Sequence, residues 1–292
     1  MDKRELFAKM KLCGSMAIFG SIGIFVKFLT LPSGFLVFLR ASIGVLFLLP
    51  FVIFGKNKFN FGSINKNLLP LLLSGAALGA NWVLLFEAYK YTDVSIATLC
   101  YYLAPVFIVL LSPLVLKEKL TPQKLLGVLL ALSGMVLVSG ALSGDKGGSL
   151  IGILFGIGAA VLYATVVFIN KAIKDVSAYD RTITQFAVSM IITLPYTLFT
   201  EQITSDMFGF TSIILILVVG VIHTGVAYVM YFSSLKDVKA HTAAIFSYTD
   251  PILALILAFA ILKERMGTLE IIGAILILGG AFLSEIKLKG SK

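Results

Sequence analysis

The sequence predicts an all-α integral membrane protein: ten transmembrane helices forming two inverted five-helix repeats, with the N- and C-termini both cytoplasmic. Three observations lead there. The chain carries too few charges for a soluble domain, its lysines and arginines gather on one side of the apolar segments, and one phrase of sequence occurs twice.

Of the 292 residues, 59% are hydrophobic and 13% charged, against about 25% charged in soluble domains. The mean hydropathy is +1.01. The longest polar stretch, residues 56–67, is too short for a separate soluble domain. A net charge of +9 would suit nucleic acid, but no basic run or aromatic-basic module accompanies it, so no nucleic-acid partner is expected. Cys13 and Cys100 both fall inside apolar runs and read as small packing residues, not a disulfide. The opening MDKRELFAKMK leads into an apolar run without a convincing cleavage site, which reads as an uncleaved first span.

A span takes about 20 mainly apolar residues, each adding about 1.5 Å across the hydrocarbon core. Ten segments qualify: 11–30, 33–54, 68–89, 94–116, 122–142, 149–171, 178–200, 210–235, 240–262 and 268–286. Helix is expected in each, because the alternating pattern of barrel strands is absent and backbone groups in lipid need internal partners. The first span carries Lys27 late in its length, and the second carries Arg40 at greater depth. The third holds Asn81, Trp82 and Glu87, and the fourth Tyr101, Tyr102 and Pro105. The fifth opens at Thr121-Pro122, an N-cap hydroxyl followed by a first-turn proline. The sixth holds Tyr163, the eighth His223 and Tyr228, and the ninth Tyr248, Asp250 and Pro251. The fifth and tenth have almost nothing polar at mid-depth beyond Ser133. They are expected to face lipid or another subunit, which leaves a homodimer as a candidate assembly.

Sidedness follows from counting. With a cytoplasmic N-terminus, 18 lysines and arginines fall inside and four fall outside: Lys90, Lys146, Lys263 and Arg265. Lys27 and Arg40 remain within spans. That asymmetry obeys the positive-inside rule, and dropping one span would scramble it.

The repeated phrase is LKEKLTPQKLLG at 116–127 and ILKERMGTLEIIG at 261–273. At an offset of 146, residues 97–136 match 243–282 at 11 of 40 positions without a gap. The matches include Tyr102/Tyr248, Pro105/Pro251, Lys117/Lys263, Glu118/Glu264, Gly127/Gly273 and Gly134/Gly280. Five spans per copy is an odd number, so the second copy enters the membrane from the opposite side. Inverted repeats of this kind are characteristic of secondary transporters with a site between two pseudo-symmetric halves.

The paired pattern P-x10-L-K-E-[KR], followed by an apolar span carrying G-x6-G, resembles the EamA family of the drug/metabolite transporter superfamily. The resemblance covers essentially the whole chain. It implies one five-helix repeat over 1–146 and a second, inverted one over 147–292. It also implies movement of small metabolites, often outward, and specifies no single substrate. Gln185 stands where the second copy would carry the counterpart of Arg40, so any role of that arginine is not symmetric.

Asp250, near the middle of its span, is the sharpest candidate, because an intramembrane carboxylate is expensive and marks a functional site by default. It suits a proton carrier or the partner of an ammonium group; the structural alternative is a buried Asp stabilising the Pro251 kink. His223, at similar depth in the antiparallel neighbour, suits proton movement or a plain interhelical hydrogen bond. Pro105 and Pro251 each remove a helix hydrogen bond and are candidate hinges. Asn81, Trp82, Tyr101, Tyr102, Tyr163, Tyr228 and Tyr248 join His223 and Asp250 as candidate substrate-binding residues, with core packing as the competing account. Lys27, Arg40 and Glu87 are a candidate outer gate or charge network, although Lys27 and Glu87 could simply snorkel to the headgroups. Glu118 and Glu264, at span ends beside lysines, read as surface-paired structural residues.

The function expected is secondary active transport, with export, of a small organic metabolite such as an amino acid or related compound. A proton or other coupling ion is the candidate energy source, and a bacterial-type plasma membrane the expected location. An enzyme is disfavoured, since the chain has no H-E-x-x-H, no G-x-S-x-G elbow and no P-loop. No cofactor or metal is expected. A lipid flippase or scramblase, or an intramembrane enzyme, on the same scaffold is the alternative.

Overall fold

The computed structural model describes residues 3–54, 59–115, 117, 120–138, 149–235, 238 and 246–285. Among these residues the chain is helical and contains no strand. The apolar stretches become helix because a backbone in lipid must satisfy its own hydrogen bonds. Among the described residues seven helices are long and apolar enough to cross a membrane, and three more apolar helices are shorter: Pro122–Val138, Thr249–Leu262 and Thr268–Ser284. The protein is thus an all-α, multi-pass membrane protein.

In chain order, α1 is Lys3–Lys27, α2 Ser33–Ile53, α3 the short Phe61–Lys66, and α4 Leu68–Tyr91. The fourth apolar segment is broken into α5, Val94–Tyr101, and α6, Ala104–Val115. Then follow α7, Pro122–Val138, α8, Leu150–Ala172, and α9, Ala178–Thr200. The eighth segment is α10, Phe210–Leu217, a π-helical stretch Val218–Val226, and α11, Ala227–Leu235. The ninth is α12, Thr249–Leu257, closing in a π-turn Ala258–Leu262, and the tenth is α13, Thr268–Glu285.

The α5–α6 break has a direct cause. Pro105 has no N–H, so the Tyr101 carbonyl loses its helical donor. The chain tightens there: Tyr102 N–H still makes an α-helical bond to Thr98 O (2.9 Å), but Leu103 N–H donates only three residues back, to Cys100 O (3.1 Å). Its counterpart Pro251 lies in the first turn of α12, whose N-cap is Tyr248. Both helix starts place phenols at the same level of the bundle.

The phrase that occurs twice also shares a backbone feature. Lys117 and Lys263 have positive φ, 56° and 60°, the left-handed conformation in which a helix ends and turns sharply. Thr121 accepts from Lys124 N–H (3.3 Å), as an N-cap should. At the start of α13 the Glu270 carboxylate instead reaches back to Gly267 N–H (2.7 Å). Leu116, Glu118 and Lys119 lie outside the described residues.

The helices pair in a regular way. α1 packs on α11 and α12; α8 packs on α4, α5 and α6; α2 packs on α9; α7 packs on α13. The last pair approaches through glycine. A Cβ at Gly127 would fall 2.5 Å from Gly280 O, and one at Gly134 would fall 2.5 Å from Gly273 O. The fifth and tenth segments therefore cover one another with their glycine faces, while Leu125, Leu129, Ile271 and Ile275 stay exposed on the other side.

The end of the bundle carrying the 28–32 and 92–93 connections, here the upper end, is closed. Leu29, Leu31, Val94, Ser95 and Ile96 are all buried there. Lys27 Nζ donates to Tyr89 O (2.6 Å) and Thr92 O (3.2 Å), capping the C-terminus of α4. At the opposite end the Asn67 side chain bonds both backbone groups of Lys174 (2.9 and 3.2 Å).

Candidate functional site

A cavity of about 250 Å³ lies where α1, α2, α4, α5, α8, α11 and α12 converge. Helical spacing builds its walls. Trp82, Leu85, Phe86 and Tyr89 face it from α4 at three- and four-residue intervals, and Asp250 and Ala254 do so from α12. Thr98, Tyr101 and Tyr102 enter from the turn before the α5–α6 break, Tyr163 from α8, and Tyr228 and Tyr231 from α11. A second cavity of about 250 Å³ shares Tyr101, Tyr102, Tyr163, Ser247 and Asp250 with it and adds Pro105 and Tyr248.

Arg40 is the cation of this site. It is only 4% exposed, and its guanidinium carbon stands 3.9 Å from the Trp82 ring centroid and 5.6 Å from that of Phe86. Its Nε donates to Thr224 Oγ1 (3.1 Å). Thr224 is held in turn by its own bond to Val219 O (2.9 Å), five residues back along the π-helical stretch. Among the described residues Arg40 is in no ion pair; the pairs there are Lys9–Glu5 and Lys90–Glu87. A buried cation held by aromatic faces and one hydroxyl has its remaining N–H donors available to a ligand.

Asp250 is the carboxylate. It sits in the first turn of α12, where the helix dipole favours negative charge. The Tyr102 side chain approaches from across the α5–α6 break, and both residues line the same two cavities. Gly20 of α1 lies directly against the Asp250 backbone carbonyl, and a Cβ there would collide with it. Arg40 and Asp250 thus face one cavity without forming an ion pair. Tyr228 lies within electrostatic reach of both.

The aromatic wall is held by ring contacts. Phe186 from α9 stands edge-on to Tyr228 (5.2 Å) and tilted against Trp82 (5.4 Å), and Tyr101 meets Tyr163 at 5.6 Å. Offset and edge-on packing of this kind fixes rings in orientation.

Of the residues singled out from the sequence, Arg40, Trp82, Tyr101, Tyr102, Tyr163, Tyr228 and Asp250 meet at the first cavity, and Pro105 and Tyr248 at the second. Pro251 is buried beside Asp250 without facing either cavity. Two others point elsewhere. Asn81 is a strut between helices, donating to Ala159 O of α8 (2.6 Å). His223 turns toward α1, with Nε2 2.9 Å from Ser21 Oγ and its ring against Phe25; it does not approach Asp250. Lys27, Arg40 and Glu87 form no network: Lys27 binds carbonyls, and Glu87 pairs with Lys90 at a partly exposed position (2.9 Å).

Three residues take parts that the sequence did not assign to them. Tyr89 continues the Trp82 face by two turns and could have been found by that spacing. Gln185, aligned with Arg40, bonds Ser74 Oγ (2.7 Å) and Asn170 Oδ1 (2.6 Å) and so knits α9 to α4 and α8. Glu264 corrects an expectation. Its carboxylate is not paired to a surface lysine; it accepts from Val94 N–H (2.9 Å), Ser95 N–H (3.0 Å) and Ser95 Oγ (2.6 Å) at the N-terminus of α5. Beside it, partial desolvation and the neighbouring Glu264 charge hold the carboxyl of Asp93, a residue that remains exposed, above its ordinary range, with Lys27 opposing.

Comparison with known proteins adds the family. Residues 6–140 and 150–286 each match the EamA-like transporter family. The uncharacterized transporter YxxF of Bacillus subtilis is 31% identical over 292 residues, covering 99% of this chain and 93% of that protein. A protein of Escherichia coli named a probable amino-acid metabolite efflux pump is 26% identical over 199 residues, covering 64% of this chain and 65% of its own length. A crystal structure with 20% sequence identity superposes with a TM-score of 0.67 over 95% of this chain and 96% of that one, a likeness of fold.

Proposed function

The chain belongs to the EamA-like transporter family, and from that premise we propose that it is a secondary active exporter of a small zwitterionic metabolite, an amino acid or close relative. The observation that carries this reading is the placement of Arg40 and Asp250 on one cavity without an ion pair between them. Arg40 offers its guanidinium to a carboxylate, Asp250 offers its carboxylate to an ammonium, and the phenols and Trp82 receive the apolar remainder. The E. coli relative named a probable amino-acid metabolite efflux pump agrees with that chemistry. Competition between a proton and the substrate ammonium for Asp250 would couple export to proton entry across the cell membrane.

Ten crossings in two inverted halves, 1–146 and 147–292, supply the alternating access. Support comes from the two family matches that flank this division, the shared left-handed lysines, and the helix pairing. α1 contacts α11 and α12 as α8 contacts α4, α5 and α6, the same pattern moved on by five spans.

The test is uptake and counterflow by purified protein in liposomes, with amino acids, the corresponding amines and carboxylic acids, and sugars as the panel, and a lipid-scrambling assay alongside. Zwitterions should be moved and their single-charge analogues should not. Scrambling without solute movement would overturn the reading. Labelling that placed 117–119 and 263–265 on one face would remove the inverted repeat.

A further inference from the structure

At the upper end, the second half of the chain grips the first through two carboxylates. Glu201, just after α9, accepts from the backbone N–H groups of Gly34 (2.8 Å) and Phe35 (2.9 Å) in the first turn of α2. Glu264, just before α13, accepts from the N–H groups of Val94 and Ser95 and from the Ser95 hydroxyl in the first turn of α5. Each carboxylate uses both oxygens, one to each N–H. The first N–H groups of a helix have no partner within it, and a carboxylate placed there meets both the free donors and the positive end of the helix dipole. Bonds to an ionised acceptor are about twice as strong as neutral ones.

The backbone is shaped to make this contact. Lys263 is left-handed, at φ 60°, which reverses the chain at the end of the α12 π-turn and directs Glu264 back across the bundle. Both gripped helices border the cavity, since α2 brings Arg40 and α5 brings Thr98 and Tyr101. Neither can swing outward at its upper end while the carboxylates hold.

We infer that Glu264 with Ser95, together with Glu201, is the latch that keeps the cavity shut at the upper end, and that opening to that side proceeds by release of the α2 and α5 N-termini. These are positioning residues; they touch no substrate. The inference rests on the alternating-access reading above but is tested without a substrate. Trp82 is the chain's only tryptophan and lines the cavity, so iodide, a membrane-impermeant quencher, reports access to it from either side of a proteoliposome.

In the parent protein, iodide at the upper side should quench Trp82 weakly. Glu264→Gln presents an NH2 where a donor expects an acceptor. Losing one charge-assisted bond should enlarge the population open on that side about tenfold, seen as stronger quenching from that side alone. Ser95→Ala, which keeps the carboxylate, should give a smaller increase in the same direction, and Glu264→Gln with Glu201→Gln a larger one. Unchanged quenching from both sides in folded double variant would overturn the latch. So would an equal rise from both sides, which marks general loosening. Side-specific quenching in a protein that moves no solute would keep the latch and reject the transport reading.

Discussion

The guanidinium carbon of Arg40 stands 3.9 Å from the Trp82 ring centroid, and among the described residues no carboxylate pairs with it. A buried, unpaired cation costs stability, and a protein that keeps one gains something else from it. Arg40→Met should therefore keep or raise the thermal midpoint while abolishing transport. Arg40→Lys, which lacks the planar fork needed for Thr224 and the ring together, should retain the fold and lose at least about tenfold in transport, roughly 1.4 kcal/mol. Fluorescence-detected melting and liposome transport on the same preparations check both statements.

Because one tryptophan borders the cavity, binding should be visible directly. A transported zwitterion should shift or quench Trp82 emission with saturation, and Arg40→Met should remove the response. A substrate that is transported without touching Trp82 emission would place the site elsewhere.

Asp250→Asn removes the charge that would hold an ammonium while leaving the shape of the side chain almost unchanged. Transport should fall at least about tenfold. Only the charged carboxylate holds an ammonium, so protons compete with the substrate in the wild type, and the pH dependence of transport should flatten in the variant. An Asp250→Asn protein with the parent pH profile would remove this residue from coupling.

The α7–α13 crossing should be unforgiving. A Cβ at Gly134 would stand 2.5 Å from a backbone oxygen, which cannot rotate away. Gly134→Val should destabilise by about 1–3 kcal/mol, the usual range for overpacking. Gly279→Ala, with nothing within 4 Å of the new methyl, should be neutral or gain up to about 1 kcal/mol from helix propensity. Thermal melting in one detergent compares the two.

Asp93 gives a pH test outside the membrane-spanning helices. Its carboxyl, on a residue that remains exposed, is held above the ordinary range by partial desolvation first and by Glu264 second, so the effect is small. A carboxyl whose folded value is raised makes the fold more stable below its ordinary value and loses that advantage as pH rises through the folded value. Asp93→Asn, which keeps an N-cap residue type before α5, should raise the melting temperature slightly at neutral pH. The difference should vanish in acid, where Asp93 is protonated folded or unfolded.

Much of the site was readable from the chain because intramembrane charge and helical spacing are strong signals. Asp250 stood out as a costly charge at mid-depth and Trp82 as a pocket candidate, while Arg40, expected in an outer gate, lines the same cavity as both. His223 and Asn81 looked equivalent by that criterion. They differ only in rotational position on their helices, which depth does not determine, and each finds a partner on a neighbouring helix. The role of Glu264 was hidden for another reason: its acceptor geometry joins residues 170 apart in sequence, and a glutamate beside a lysine reads locally as a surface pair. The G-x6-G spacing marked the family pattern but not what the glycines touch. Their contact became visible only when α7 and α13 were seen to cross at their glycines.

That crossing has a historical consequence. Gly127 meets Gly280, and Gly134 meets Gly273; on the proposed repeat, each glycine touches the other's mate. Two copies of one polypeptide related by a two-fold axis make contacts of this self-complementary kind. A lone five-helix ancestor inserting in both orientations would already have owned the surface on which its copies met, and fusing them would have added only a tether.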